Sequence, residues 1–213
     1  MWKYWKNTIA IIFCIATTYA AQAQALGYAQ QYNDGAVVLA DGSKLRGVVM
    51  LYPSRGVVQV KMANDSVYTF QAQAVQCVAV EEHKERITAD KLVSPRRVFR
   101  PYYVMSKNPG GPIWAFFEQI SDGPVKLLRY QRFMPYAAMS ASYTPSTDNF
   151  FLALGSNGVV PLRYPRKDVL SFFKKQAPQI EQYVKENDLR YTNARELSFI
   201  VNYANSLQNA PGQ

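Results

Sequence analysis

The chain has 213 residues, of which 14% are aromatic, and 24 Lys and Arg stand against 15 Asp and Glu for a formal charge of +9. One histidine and two cysteines make poor material for a zinc centre and leave a hydrolase triad only His83 to use. The basic residues are scattered as "RR", "KK" and single arginines instead of massed in one run. That pattern argues against a nucleic-acid partner and for a solvated surface able to attract anionic glycans or lipid head groups.

At the amino end, Met1 to Lys6 carries Lys3 and Lys6 and is followed by the apolar run "TIAIIFCIATTYA" and then "AQAQA". A charged start, a greasy middle and small residues at a cleavage point are the marks of an export signal, placed at 1–23 with the cut after Ala23. Thr8 to Ala23 is 16 residues, short of the roughly 20 a spanning helix needs. No integral membrane span is therefore expected after cleavage. Phe13 is too large to precede a lipid-modified Cys14. Cleavage would leave Cys77 as the only thiol, so no intramolecular disulfide is expected and the fold must be held by its core. The apolar neighbours in "AVQCVAVEE" point to a buried thiol in a strand. The expected location is the periplasm, the cell surface or the medium.

Residues 33–82 read as a β-rich part. "AVVLADGSKLRGVVMLY" is two β-branched runs around Asp41-Gly42, a dipeptide suited to a tight hairpin turn. Gly35, Gly42 and Gly47 fit neither nucleotide-binding spacing, and no helix follows them as a phosphate loop would require. Lys44 is then an ordinary strand residue facing solvent. "GVVQVKMANDSVYTFQAQAV" repeats the design around Asn64-Asp65, with Val58, Val60 and Met62 on one face, and "VQCVAVEE" adds a fifth strand. These strands predict an antiparallel β-meander or a small SH3-like curved sheet.

Residues 83–112 mix charge, proline and glycine and read as an irregular connection carrying one short strand near Val98 to Met105. A second β part follows over 113–164, with hairpins around Asp122-Gly123 and Asn157-Gly158 and a surface loop, "MPYAAMSASYTPSTD", between them. From 165 to 208 the period changes to that of helices. Pro165 opens a first helix with Val169, Leu170, Phe172 and Phe173 facing inward. A second begins at Pro178 and ends near Asn187. Asn193 and Glu196 have capping-box spacing ahead of a third, in which Leu197, Ile200, Val201, Ala204 and Leu207 recur at helical intervals. The expected fold class is thus α+β: a β-rich front, a second β part and three carboxy-terminal amphipathic helices docked on them, as one or two packed units, with a disordered end at 209–213.

The stretches "DGSKLRGVV", "FFLALGSNGVVPLRYPRKDVLSFFKKQAPQIEQYVKENDLRY" and "ELSFIVNYANSL" resemble a loose family of small exported proteins of Gram-negative bacteria. Those proteins join a β-rich front to a helical tail that ends in a "Y-N-S-L"-like run, here Tyr203-Ala204-Asn205-Ser206-Leu207 with Ala204 inserted. The resemblance implies an envelope protein and transfers no catalytic residue.

His83, in "EEHKER", reads as an exposed side chain among charges. No Gly-x-Ser-x-Gly motif occurs. The carboxylate pairs Glu118 with Asp122 and Glu81 with Glu82 are close only along the chain. No catalytic residue, metal ligand or cofactor is expected. A hydrolase acting on a peptide or glycan is the weaker alternative, and a purely structural envelope component is another. The stronger expectation is binding of another envelope protein or a glycan. Arg97, Arg100, Tyr102, Tyr103, Arg129, Tyr130 and Arg132 interleave rings and guanidiniums in a way that could build a stacking surface. Core packing of Trp114, Phe117 and Leu127 is the plain competing account of this aromatic-rich region. Sheet edges offer a second binding mode, by strand addition.

Overall fold

The computed structural model describes residues 29–81, 96–104, 113–131, 148–155 and 158–208. The expected signal segment, Cys14, His83, Arg132, most of the 134–148 loop and the 209–213 end lie outside them.

Among the described residues ten antiparallel strands form one sheet: β1 (Gln30–Leu39), β2 (Lys44–Tyr52), β3 (Val57–Lys61), β4 (Val67–Gln71), β5 (Val75–Glu81), β6 (Arg96–Val104), β7 (Ile113–Gln119), β8 (Val125–Gln131), β9 (Asp148–Leu154) and β10 (Val159–Pro161). Their order is β10-β9-β8-β7-β6-β5-β1-β2-β3-β4. Three helices follow: α1 (Pro165–Phe172), α2 (Ala177–Glu186) and α3 (Ala194–Gln208). The chain is therefore β-rich, with its helices at the carboxy-terminal end.

One expectation is corrected in extent. A small curved sheet and a separate β part were foreseen, but β5 pairs with both β1 and β6, so a single ladder runs through both. The link is the stretch "RRVFRPYYV", where the short strand expected near Val98 to Met105 runs for nine residues, Arg96–Val104. Pro101 is tolerated there because β5 stops pairing at Val78↔Phe99, so no β5 partner faces its missing N–H.

The hairpins form where their turn residues place them. At the first, the Asp41 carboxylate accepts from the Ser43 amide (2.8 Å) and hydroxyl (2.7 Å), closing the turn between β1 and β2. Register irregularities in β1, between Tyr32 and Gly35 and between Val38 and Leu39, bend that strand. The front of the sheet curls around Val37, Val49, Leu51, Val58, Val60, Val78 and Phe99. Its closure depends on Gly56, at φ 61°, where an added Cβ would lie 2.6 Å from the Trp114 carbonyl oxygen of β7. Only glycine lets the two backbones approach so closely.

Strand β7 is buried on both faces. Phe116 points into the front cluster, while Ala115 and Phe117 join Tyr102, Leu128 and Ala153 in a second cluster on the opposite face. This explains why "IWAFF" is continuously apolar instead of alternating. The helices cover the remaining face of β8 and β9, with Val169, Phe173, Ile180, Leu197, Ile200, Val201 and Ala204 packed on Val125, Leu127, Phe150 and Leu152.

The helices lie where proline and capping signals placed them, but the expected clean separation of apolar and polar faces is not found. Helix α3 buries Ser198 and Asn205 and exposes Phe199. Asn205 is inward for a reason: its Nδ2 donates to the carbonyls of Asp122 (2.8 Å) and Val125 (2.7 Å), and its Oδ1 accepts from the Val125 amide at 3.1 Å. Asn202 Oδ1 accepts from the Asp122 amide at 3.1 Å. One side chain thus satisfies three backbone groups at the β7–β8 turn, the two on Val125 buried, and latches the turn to α3. Gly123 sits against this latch at φ 104°, and an added Cβ would meet Asn205 Nδ2 at 2.7 Å.

Gly123→Ala should therefore cost about 2 kcal/mol through its backbone conformation alone, and more through collision with the latch. Asn205→Ala should also destabilise, and the double variant should lose less than the sum of the singles because the collision partner is gone. Urea denaturation of the four proteins checks this; strict additivity would refute the contact.

Candidate functional site

Strand alternation distributes the expected aromatic and basic residues over two faces. Arg97, Tyr103 and Arg129 share a face with Phe116 and Glu118, while Arg100, Tyr102 and Tyr130 share the other with Ala115 and Phe117. Tyr102 packs edge-on against Phe117, which also meets Tyr130 and Phe151 at 5.1 Å between centroids. Arg100 Nε donates to Gln119 Oε1 at 2.7 Å. Tyr103 is exposed and leans on Trp114 across the β6–β7 ladder, with centroids 5.5 Å apart. Phe117 and Leu127 are core residues, and Trp114 is half-buried against the front cluster.

The most concentrated chemistry is internal. Arg97 grips Glu118 with two parallel bonds, Nε to Oε1 at 2.8 Å and Nη2 to Oε2 at 2.7 Å. Arg129 approaches from the other neighbouring strand, with Nε at 3.0 Å and Nη2 at 2.7 Å from Oε2. The Glu118 side chain is 6% exposed and the Arg97 and Arg129 side chains 14% and 12%. Arg97 Nη1 donates to the Tyr32 hydroxyl at 3.3 Å, which donates to Gln30 Oε1 at 2.7 Å, and the guanidinium lies 5.1 Å from the Phe99 ring centre. Beside them is a cavity of about 10 Å³ lined by Gln30, Pro53, Phe99, Phe116, Glu118 and Arg129. That is room for one water molecule.

Burial pushes the Glu118 carboxyl upward, but hydrogen bonds and charge from Arg97 and then Arg129 outweigh it and hold the group below its ordinary range. An acid so held stays ionised near neutral pH and has no proton to give. It cross-links three strands; it is poorly tuned for general acid catalysis. Asp122 lies apart on an exposed turn, where its carboxylate accepts from Gln119 Nε2 at 3.2 Å. Glu81 pairs at the surface with Arg96 at 3.4 Å. Cys77 is half-buried, not enclosed as its neighbours suggested. Among the described residues no group of His, Cys, Asp and Glu is placed to hold a metal, and no helix is long and apolar enough to cross a membrane.

The outer surface offers a different site. Among the described residues the terminal strand β4 pairs with β3 alone. It reads Val-Tyr-Thr-Phe-Gln, without charge or proline, and Val67 and Tyr68 are 58% and 43% exposed. Tyr68 and Phe70 lie on the face of Val60 and Val58, and Thr69 accepts from Gln59 Nε2 on the other at 3.3 Å. The opposite edge, β10, has three residues and ends on Pro161.

Sequence reasoning missed the Glu118 cluster and the Asn205 latch. A signal for each was present. Glu118 is the one acid in its strand, directly after the apolar run "IWAFF" and flanked by arginine-bearing strands, and Asn205 falls four and eight residues after Val201 and Leu197 on the buried row. No protein-family model, curated protein or solved structure matches this chain.

Glu118→Gln should destabilise the fold by about 3 kcal/mol, because it removes the charge that two buried guanidiniums require. Since the folded-state pKa is depressed, this stabilisation is complete above the unfolded value near about 4.3 and disappears as pH falls through the lower folded value. Denaturation midpoints of wild type and variant should converge on acidification. A pH-independent gap would refute the assignment.

Proposed function

We propose that this chain is an exported, non-enzymatic protein of the Gram-negative cell envelope that binds another envelope protein by strand addition at β4. Export is supported by the charged and then apolar opening of the sequence and by its resemblance to small exported proteins with a β-rich front and helical tail. The front half is read as an SH3-like curved unit, supported by the order β5-β1-β2-β3-β4 and the 3-10 turn at Ala72–Ala74 before β5.

The observation that carries the binding reading is the contrast between the two sheet edges. Natural edge strands are blunted by shortness, proline or charge. β10 has the first two devices. β4 has none and leaves Val67 and Tyr68 exposed. An incoming extended segment would gain main-chain hydrogen bonds along β4 and apolar contact with Tyr68 and Phe70 on one face, with Val67 and Thr69 on the other. The interior positions of Arg97, Arg129 and Tyr102 favour this edge over a stacking face built from those residues.

A photo-crosslinker at Tyr68, in cells, should capture an extended segment of a partner identifiable by mass spectrometry. Val67→Lys with Thr69→Lys, which adds charge to the edge, should reduce capture on the order of tenfold, whereas Val160→Lys on β10 should not. Equal loss from both edges, or turnover of a peptide or glycan panel by purified protein that captures nothing, would sink the reading.

A further inference from the structure

We propose that the surface from Arg163 to Lys175 docks on an anionic phospholipid bilayer. This face is separate from the β4 edge and does not depend on it.

Charge in the helical tail is segregated. Residues 163–175 hold five cations and one acid, whereas 176–208 hold three cations and four acids. The single acid is engaged locally, Asp168 Oδ2 accepting the Tyr164 amide at 2.7 Å ahead of α1. Arg166 is taken by Glu181 at 2.6 Å. Arg163, Lys167, Lys174 and Lys175 remain, all exposed and with no ion-pair partner among the described residues. Lys167 lies on α1 and Lys174, seven residues or about two helical turns further on, lies with Lys175 on the 3-10 turn Lys174–Gln176 that follows it, while Val169 and Phe173 between them face the core and Arg163 stands just ahead of the helix.

An apolar rim precedes these cations along the chain, on the hairpin that leads into α1 and at its first turn. Tyr164 at the start of α1 is 70% exposed. Leu154 and Val160, also exposed, are diagonal neighbours on one face of the β9–β10 hairpin that leads into the helix. Cations beside an aromatic ring and aliphatic side chains match the headgroup boundary of an anionic bilayer, where charge attracts and apolar groups enter. An acidic glycan would engage the cations alone and give the apolar rim nothing to enter, so the bilayer is the better-matched surface.

The test is co-sedimentation of the full chain with phosphatidylcholine vesicles made with and without phosphatidylglycerol. All versions share one amino-terminal sequence, so its contribution cancels. Binding should require phosphatidylglycerol and weaken as salt is raised. Lys167→Ser, Lys174→Ser and Lys175→Ser together should weaken it roughly a hundredfold, about fivefold per charge. A matched variant, Lys44→Ser, Arg55→Ser and Lys185→Ser, removes the same charge elsewhere and should change binding only slightly. Tyr164→Ser should weaken binding without altering its salt dependence, and Val67→Lys with Thr69→Lys should leave it intact. Indifference to phosphatidylglycerol, equal loss in the two triple variants, or retention on dextran sulfate without vesicle binding would each overturn the proposal, the last in favour of a polyanionic glycan.

Discussion

A single buried carboxylate ties the two halves of this sheet together. Between β7 and β8 the ladder is short, with Glu118↔Arg129 and Gln119↔Leu128 as its paired positions and the Ile120 amide donating to the Leu127 carbonyl at 2.9 Å just past them, so few backbone hydrogen bonds fix that register. Glu118 supplies what they lack. A slip of one residue would turn it toward the cluster of Ala115 and Phe117, away from both guanidiniums, and leave three charges uncompensated in low dielectric. The ion cluster adds little net stability over an apolar equivalent, because desolvation offsets most of its attraction. Its effect is to make neighbouring registers far worse.

The position of the cluster matters as much as its chemistry. On one face of the sheet it lies between the front cluster around Phe99 and Phe116 and the helix-covered cluster around Leu127 and Phe150. On the opposite face of the same strands, Tyr102, Phe117 and Leu128 form a third cluster, across which β10 approaches β6. A sheet that buries one face at its front and both at its back needs a central strand apolar on both sides, and β7 is that strand. Asn205 does for α3 what Glu118 does for β8. Each is a polar group placed where only one arrangement satisfies it, so the helix has one docking position on the β7–β8 turn and not several.

This interior consumes most of the arginine and tyrosine of the middle strands. The two surfaces proposed for partners lie elsewhere: the β4 edge at one end of the sheet and the cationic stretch around α1, which packs over β8 and β9 near the other. The two differ in physical character. A strand edge is satisfied by backbone of almost any sequence, with selectivity from a few side-chain pockets, whereas a cationic face with an apolar rim answers to charge density and a nearby apolar phase. Because they occupy separate elements, engaging one does not block the other.

The sequence by itself determined the local elements, since their causes are local. Asp41-Gly42 and Asp122-Gly123 mark turns, Pro165 opens α1 at its first residue, and the Asn193 side chain accepts the Glu196 amide at 3.1 Å as its capping spacing implied. The other half of that box differs: Glu196 turns instead to the Arg190 amide at 2.5 Å and to its guanidinium at 2.8 Å. Only the tertiary structure decided that the β parts are one sheet, that Arg97 and Arg129 face inward while Arg100 faces the other way, and that Asn205 belongs inside. Those outcomes depend on strand neighbours 11 to 83 residues distant in the chain. Periodicity reports which residues share a face, but not which side of a sheet will be covered. That is settled by what packs there, and an arginine is exposed or buried according to whether a carboxylate waits on the adjacent strand.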